Sequence, residues 1–238
     1  MISTSTLYND LLTSSEKGEK QLAVLIDPDK FNKREAEGYL LDLPAEISFI
    51  LVGGSTVAPE KTNLTVQAIK NFTNLPIILF PGDHSQITPA ADAILFLSLI
   101  SGRNPEYLIE QHVHSAAKLR ATSLEIIPTG YILIEGGREC AVERVSKTTP
   151  IPQSNISLIV NTALAGQFSG KKVIYLEAGS GATHPVSANI ISAVKEAINI
   201  PLIVGGGIRT AVDLAKAHLA GADLVVIGTA FENNTFEP

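Results

Sequence analysis

The stretch Pro201–Glu232 reads PLIVGGGIRTAVDLAKAHLAGADLVVIGTAFE. An apolar run, Leu202–Val204, stops at three glycines. An amphipathic stretch, Ala211–Ala220, follows, and then a second apolar run, Leu224–Ile227, stops at Gly228-Thr229-Ala230-Phe231. Strand, helix and strand in that order make one unit of a parallel sheet. Glycine at a strand's end lets the backbone approach a ligand closely. A helix starting just beyond offers unpaired N–H groups and the positive end of its dipole. Two such loops after the last two strands are the usual phosphate site of a (β/α)8 barrel. Either loop alone reads equally well as a tight turn.

Working outward, six more apolar runs read as buried strands: Leu22–Ile26, Ser48–Val52, Ile77–Phe80, Ala93–Leu97, Leu124–Ile127 and Val173–Leu176. Helical periods fill most gaps, at 32–41, 59–72, 105–119 and 187–197, with a further helix near 155–168. Eight strands within 238 residues favour closure into a (β/α)8 TIM barrel, one domain over 1–238. Two places break the alternation. PGDHSQITPAAD, residues 81–92, carries two prolines and no helical period, so a loop is expected in place of the third helix. After the fifth strand a second apolar run, Tyr131–Ile134, opens an insertion that ends at TTPIP. A faint internal echo also shows: PIILFPGD…AADAILFLS resembles PLIVGGGI…AGADLVVIGTA, matching strands three and four to seven and eight.

Composition narrows the function. Net charge is −6, which disfavours a broad nucleic-acid surface, although backbone N–H groups can still build a local anion site. One cysteine, Cys140, allows no intrachain disulfide and fits a reducing cytoplasm. The N-terminal MISTSTLYNDLL lacks the basic and apolar regions of a signal peptide, and no apolar run reaches the roughly 20 residues that span a bilayer.

Barrel chemistry sits where strands end. Asp27 ends the first strand, so its carboxylate is expected in the mouth, as a Mg²⁺ ligand or as an Asx turn before Pro28. Ser55, in the GGST after the second strand, supplies a second oxygen or a helix cap. Glu177, between VIYL and a glycine-rich loop, is placed to take a proton from a substrate hydroxyl, or to partner an interior cation. The five histidines show no zinc-ligand spacing, and Cys140 has no candidate base beside it.

DPDK, VGGST, YLEAGSGA, VGGGIRT and VIGTAFE, each after its strand, resemble the geranylgeranylglyceryl phosphate synthases. The likeness covers nearly the whole chain. PTGYILIEGG and TTPIP are similar to the larger archaeal and bacterial group of that family. The smaller heptaprenylglyceryl phosphate synthases carry Lys where this chain has Leu25, and YSG where it has AGSG. The resemblance implies a modified barrel lacking the third helix. It implies a Mg²⁺-dependent prenyltransferase that joins sn-glycerol 1-phosphate to an isoprenoid diphosphate, such as geranylgeranyl diphosphate, through an ether bond in phospholipid biosynthesis. Carried over by motif, Asp27 and Ser55 match its metal positions. Its glycerol phosphate site falls on Tyr175, Leu176, Glu177, Ala178, Gly179, Ser180, Gly181, Gly206, Gly207, Gly228 and Thr229, and Asp27 and Glu177 take the catalytic roles. The prenyl tail is expected near Phe80, Leu97 and the third loop, where the missing helix opens the wall. A homo-oligomer, dimer or hexamer, is expected, with peripheral membrane contact for the lipid product.

Two competitors stand beside this reading. One is a sugar-phosphate isomerase barrel of histidine or tryptophan biosynthesis; the histidine-pathway enzymes need acids after strands one and five, and Ile127-Pro128-Thr129 offers none. The other is a non-catalytic phosphate-ligand or lipid-binding protein, against which Asp27 and Glu177 argue.

Overall fold

The computed structural model describes residues 6–34, 36–58, 60–233 and 235–237. Eight parallel strands close into a barrel: β1 (Gln21–Ile26), β2 (Ile47–Val52), β3 (Ile77–Leu79), β4 (Ala93–Leu99), β5 (Glu125–Leu133), β6 (Val173–Glu177), β7 (Leu202–Gly205) and β8 (Leu224–Ile227). Closure is through β1 on β8, with Val24 opposite Ile227. Alternate side chains point two ways. Ala23, Phe49, Leu51, Leu95, Ile127, Tyr175 and Val226 fill the interior, while Val24, Ile50, Ile132, Leu176, Val204 and Val225 pack under the helices. Both faces are buried, which is why the strands read as continuous apolar runs.

The helices are α1 (Leu7–Lys17), α2 (Ala36–Leu41), α3 (Lys61–Lys70), α4 (Gln111–Arg120), α5 (Ala141–Ser146), α6 (Ile156–Phe168), α7 (Ala188–Ala197), α8 (Ala211–Leu219) and α9 (Thr229–Glu232). A π-helical turn, Glu106–Glu110, leads into α4. Pro59, where the helix before β3 was expected to begin, lies outside the described residues, as does Glu35 within the first expected helix. Between β3 and β4 only a 3₁₀ turn, His84–Gln86, stands where a barrel helix would be.

Three features depart from the sequence reading. Helix α1 was not expected. It is capped by Thr6, whose hydroxyl accepts the Asn9 N–H at 3.3 Å, and closed by Gly18 in the left-handed region. Glu125, at the start of β5, accepts the Leu7 and Tyr8 N–H groups at 2.6 and 3.2 Å, and Leu11 is buried among interior residues. The helix therefore plugs the N-terminal end of the barrel. Helix α2 starts at Ala36 rather than Asn32, because the Asn32 side chain forms a local turn by accepting the Arg34 N–H.

The third departure is β5, which continues through Pro128 and Gly130, so Leu124–Ile127 and Tyr131–Ile134 belong to one rope of chain and not to a strand and an insertion. Pro128 is tolerated because β6 begins only opposite Thr129, so the missing N–H forfeits no ladder bond. Gly130 lets the Ile100 and Ile174 side-chain ends pack closely over the strand, where a Cβ would meet them at 2.9 and 3.0 Å. The rim after β5 is consequently Glu135, an exposed acid, and not the acid-free Ile127-Pro128-Thr129 expected from the sequence. Glu135 is not among the residues lining the mouth.

The internal echo has a structural counterpart. Asp92 accepts the Ile77 N–H at 2.8 Å and pairs with Lys70 at 2.8 Å; Asp223 accepts the Leu202 N–H at 2.7 Å and pairs with Lys195 at 2.7 Å. Each Asp of an Ala-Asp pair thus fastens the foot of the preceding strand to a helix lysine.

Candidate active site

The C-terminal mouth holds a cavity of about 280 Å³, near the small end of ligand sites. Asp27, Ser55, Tyr175, Glu177, Ser180, Gly181, Gly206, Gly207, Gly228 and Thr229 all line it. Residues from the ends of five strands meet there because β1, β2, β6, β7 and β8 all end at this face.

Glu177 is the last residue of β6 and points inward by strand alternation, opposite Gly205. Its side chain is buried. Oε1 accepts the Gly179 N–H at 2.7 Å. Burial pushes its pKa up to about 7, with the Gly179 N–H and the neighbouring Tyr175 hydroxyl pulling the other way. Such a carboxyl exchanges a proton near neutral pH. The Tyr175 hydroxyl is itself buried and completes no hydrogen bond of normal geometry. Gly205 and Gly206 leave room for these groups: a Cβ on Gly205 would run into the Tyr175 hydroxyl, and one on Gly206 into Glu177 Oε1. Gly206 and Gly207 both hold left-handed backbone, at φ 83° and 76°.

Across the mouth, Gly228 begins α9. The first helical bonds run from Phe231 and Glu232 to the Gly228 carbonyl, so the N–H groups of the first turn point out of the helix start. The Ser180 and Thr229 hydroxyls lie 3.2 Å apart and bridge the β6 and β8 loops. Arg209 donates to the Ala182 carbonyl at 2.6 Å and holds the β6 loop in place.

Three residues of the expected glycerol phosphate set stand apart from the cavity. Leu176 and Ala178 turn into the layer under the helices. The Ala178 and Gly179 N–H groups are already used, by the Gly205 carbonyl and Glu177.

Asp27 Oδ1 accepts the Asp29 N–H at 3.0 Å, so the local turn and the mouth position both hold. Oδ2 lies 3.6 Å from Lys30 Nζ. The Gly54-Ser55 loop packs against it; a Cβ on Gly54 would sit 3.1 Å from Oδ1. Among the described residues no cluster of three His, Cys, Asp or Glu is built to hold a metal alone.

Sequence reasoning passed over several residues here. Buried Gln86, in the loop replacing the third helix, donates to the Gly54 carbonyl at 2.9 Å and accepts the Gly54 and Gly82 N–H groups at 3.4 and 3.2 Å. It fixes the loop that carries Ser55. Glu232 accepts the Asp27 N–H at 3.1 Å and Lys30 at 3.0 Å; it stood inside the quoted VIGTAFE. Beside the mouth runs an apolar pocket between the opened β3–β4 wall and α4, lined by Phe80, Ile87, Leu97, Leu99, Tyr107 and the α5 residues Val142 and Val145. Phe80, Tyr131 and Val142 face both spaces. Phe80 stacks on Tyr175 at 5.2 Å between centroids and Tyr131 stacks on Tyr175 at 5.4 Å. Nothing in a linear sequence announces that trio. Cys140 is buried against Gly179, and burial, with the Glu177 and Glu143 carboxylates nearby, pushes its thiol pKa up.

Fold and site together define a (β/α)8 barrel with a glycine-rich mouth and, beside it, an apolar pocket that shares Phe80, Tyr131 and Val142 with the mouth. Residues 16–237 match the PcrB family, and the chain belongs to that family. It is 59% identical over 231 residues to a protein of Zunongwangia profunda named geranylgeranylglyceryl phosphate synthase, covering 97% of this chain and 99% of that one. A namesake from Pyrococcus abyssi is 43% identical over 221 residues, covering 92% and 86%. The crystal structure of (S)-3-O-geranylgeranylglyceryl phosphate synthase from Thermoplasma acidophilum, in complex with sn-glycerol 1-phosphate, superposes with a TM-score of 0.88. It is 37% identical and the match covers 96% and 92% of the two chains.

Proposed function

We propose that this chain is a prenyltransferase that joins sn-glycerol 1-phosphate to geranylgeranyl diphosphate through an ether bond and releases diphosphate. The observation that carries the reading is the position of Glu177. A buried carboxyl with a pKa near 7 stands between a glycine-rich cradle and the rings, Phe80 and Tyr131, that the mouth shares with an apolar pocket. The names of its relatives, and the sn-glycerol 1-phosphate in the Thermoplasma acidophilum structure, agree with it.

In this scheme Gly206, Gly207, Gly228 and Thr229 hold the phosphate by backbone N–H groups, and the Ser180 and Tyr175 hydroxyls contact the glycerol. Holding the glycerol hydroxyl against the allylic carbon replaces a bimolecular encounter with a positioned one. The new C–O bond forms as the carbon–diphosphate bond breaks, and the hydroxyl proton passes to Glu177. The prenyl tail occupies the apolar pocket beside Phe80 and Leu97. Mg²⁺ fits the donors present: Asp27 and Ser55 supply hard oxygens, and Asp27 Oδ2 meets only a distant ammonium. When bound it neutralises charge on the departing diphosphate. No helix of the described residues is long and apolar enough to cross a membrane. We place the reaction in the cytoplasm, with the product handed to a membrane surface.

The test is incubation with sn-glycerol 1-phosphate or its 3-phosphate enantiomer, Mg²⁺, and a panel of labelled prenyl diphosphates. An ether product from the 1-phosphate, lost with EDTA, is expected. Equal use of the two enantiomers would remove the main support for this reading, and isomerisation of a sugar phosphate in a parallel incubation, with no ether product from glycerol phosphate, would replace it with the isomerase one. Ligand binding without turnover would replace it with a lipid-binding role.

A further inference from the structure

Three charged side chains that line the mouth have no part in that scheme, Lys30, Arg209 and Glu232; Arg209 is committed to the β6 loop, and the other two are bonded to each other. Glu232 ends α9 with its side chain only 12% exposed. Its oxygens are divided: Oε1 takes the Asp27 N–H at 3.1 Å, and Oε2 takes the Lys30 ammonium at 3.0 Å. The same ammonium reaches Asp27 Oδ2 at 3.6 Å, while Asp27 Oδ1 is tied into its own turn. Thus Asp27 Oδ2, the oxygen not used in that turn, faces a positive charge that another residue holds there. The two contacts differ in kind. The Glu232 contact is a charge-assisted hydrogen bond by distance; the Asp27 contact is too long to be one.

We infer that Lys30 is the resident counter-ion of Asp27, displaced from that carboxylate but not from Glu232 when a divalent cation binds, and that it then faces the diphosphate of the prenyl donor. An ammonium and a divalent ion repel each other over one carboxylate oxygen, and the looser contact yields. The lysine stem is flexible, and only its longer contact has to break. Glu232 is then a positioning residue. It fixes the Asp27 backbone, keeps the ammonium in the mouth, and links both to α9, which begins with the Gly228-Thr229 cradle. This inference rests on reading Asp27 as the cation's ligand.

The test uses Lys30→Met, which keeps an apolar stem and removes the charge, with two probes on the free protein. Mn²⁺ alone, titrated with paramagnetic detection, should bind roughly threefold or more tightly, because its competitor is gone. Inorganic diphosphate alone, in EDTA, should bind more weakly by a similar factor. Damage to the fold would weaken both, so opposite signs are the signature. Lys30→Arg should leave both within about twofold. In a Glu232→Gln background the effect of Lys30→Met on diphosphate should shrink, since the ammonium is no longer held there. Unchanged or weaker Mn²⁺ binding in Lys30→Met overturns the inference. So does an effect on diphosphate that is independent of Glu232. Asp27→Asn separates the two levels. If it abolishes Mn²⁺ binding, the metal reading survives whatever Lys30 does. If it leaves Mn²⁺ binding intact, the metal reading falls and this inference with it.

Discussion

Glu177 carries a physical conflict that can be measured in two ways. Its carboxyl is buried, so ionisation costs more in the folded protein than in the unfolded chain, and its pKa moves from 4.5 to about 7. Folded protein therefore binds more protons than unfolded chain between those values, and stability from this group falls as pH rises through that window. The loss is about 3 kcal/mol over the full window. Glu177→Gln removes the titration while keeping size and an acceptor for the Gly179 N–H. Relative to wild type, the variant should gain about 2–3 kcal/mol in urea unfolding at pH 8 compared with pH 5. Activity should move the opposite way. Wild-type turnover should rise along a limb near pH 7, and the variant should lose that limb together with about 100- to 1000-fold in kcat. If glycerol phosphate affinity collapses while kcat at saturation holds, Glu177 binds substrate and does not accept its proton. Its position at a strand end beside glycines was legible in the sequence; its burial was not, because burial depends on Gly205 and Gly206 closing over it from the next strand.

At the level of elements, the sequence was readable wherever one strand or helix explains its own residues. Eight apolar runs became eight strands, and the proline-rich 81–92 became the helix-free connection. It misled where a neighbour supplies the reason. Pro128 and Gly130 look like breakers until β6 is known to start opposite Thr129. Helix α1 had its signals, Thr6 and Gly18, but its burying partner lies more than a hundred residues away, at Glu125. The echo between the β3–β4 and β7–β8 units gives a comparison inside one molecule. Asp223 and Asp92 make the same bonds, yet the Asp223 side chain is 2% exposed and that of Asp92 is 39% exposed. Removing Asp223 leaves the buried Leu202 N–H unsatisfied, at about 1–3 kcal/mol, and strands a Lys195 ammonium that is 30% exposed, whereas the Lys70–Asp92 pair, exposed on both sides, contributes roughly 1 kcal/mol or less. Asp223→Ala should therefore cost several times what Asp92→Ala costs, read as urea midpoints with unchanged slopes. Equal losses would mean that the shared strand-foot hydrogen bond, and not the ion pair, carries the stability.

Considered whole, the molecule solves a solvent problem that neither half-site solves alone. In the proposed reaction the polar mouth supplies N–H groups and charges, the apolar pocket takes the prenyl tail, and the reacting carbon stands where they meet. The β7–β8 half keeps its helix, α8, behind the glycine loops; the matching β3–β4 half has given its helix up, and that gap is the apolar pocket. At the seam stand Phe80 and Tyr131, which line both spaces and both stack on Tyr175 of the mouth. Burial, then the charge of Glu177, pushes the Tyr131 and Tyr175 hydroxyls well above their ordinary range, so both rings stay neutral through the working pH. Neutral rings can flank a carbon that gains positive charge as diphosphate leaves, and their electron-rich faces favour that charge. They also fill the space through which water would reach it. Removing one ring without removing the fold should therefore change what captures the prenyl group. Tyr131→Leu, at a site buried on the interior face of β5, costs packing that can be followed by thermal melting. With that cost known, the ratio of free prenol to ether product should rise severalfold relative to wild type, because water gains access that the glycerol hydroxyl does not need. Tyr131→Phe keeps the ring and should keep the ratio. If Leu and Phe lower turnover alike while the prenol fraction stays at the wild-type level, the rings serve only as packing, and water must be excluded by α5 and Val142 instead.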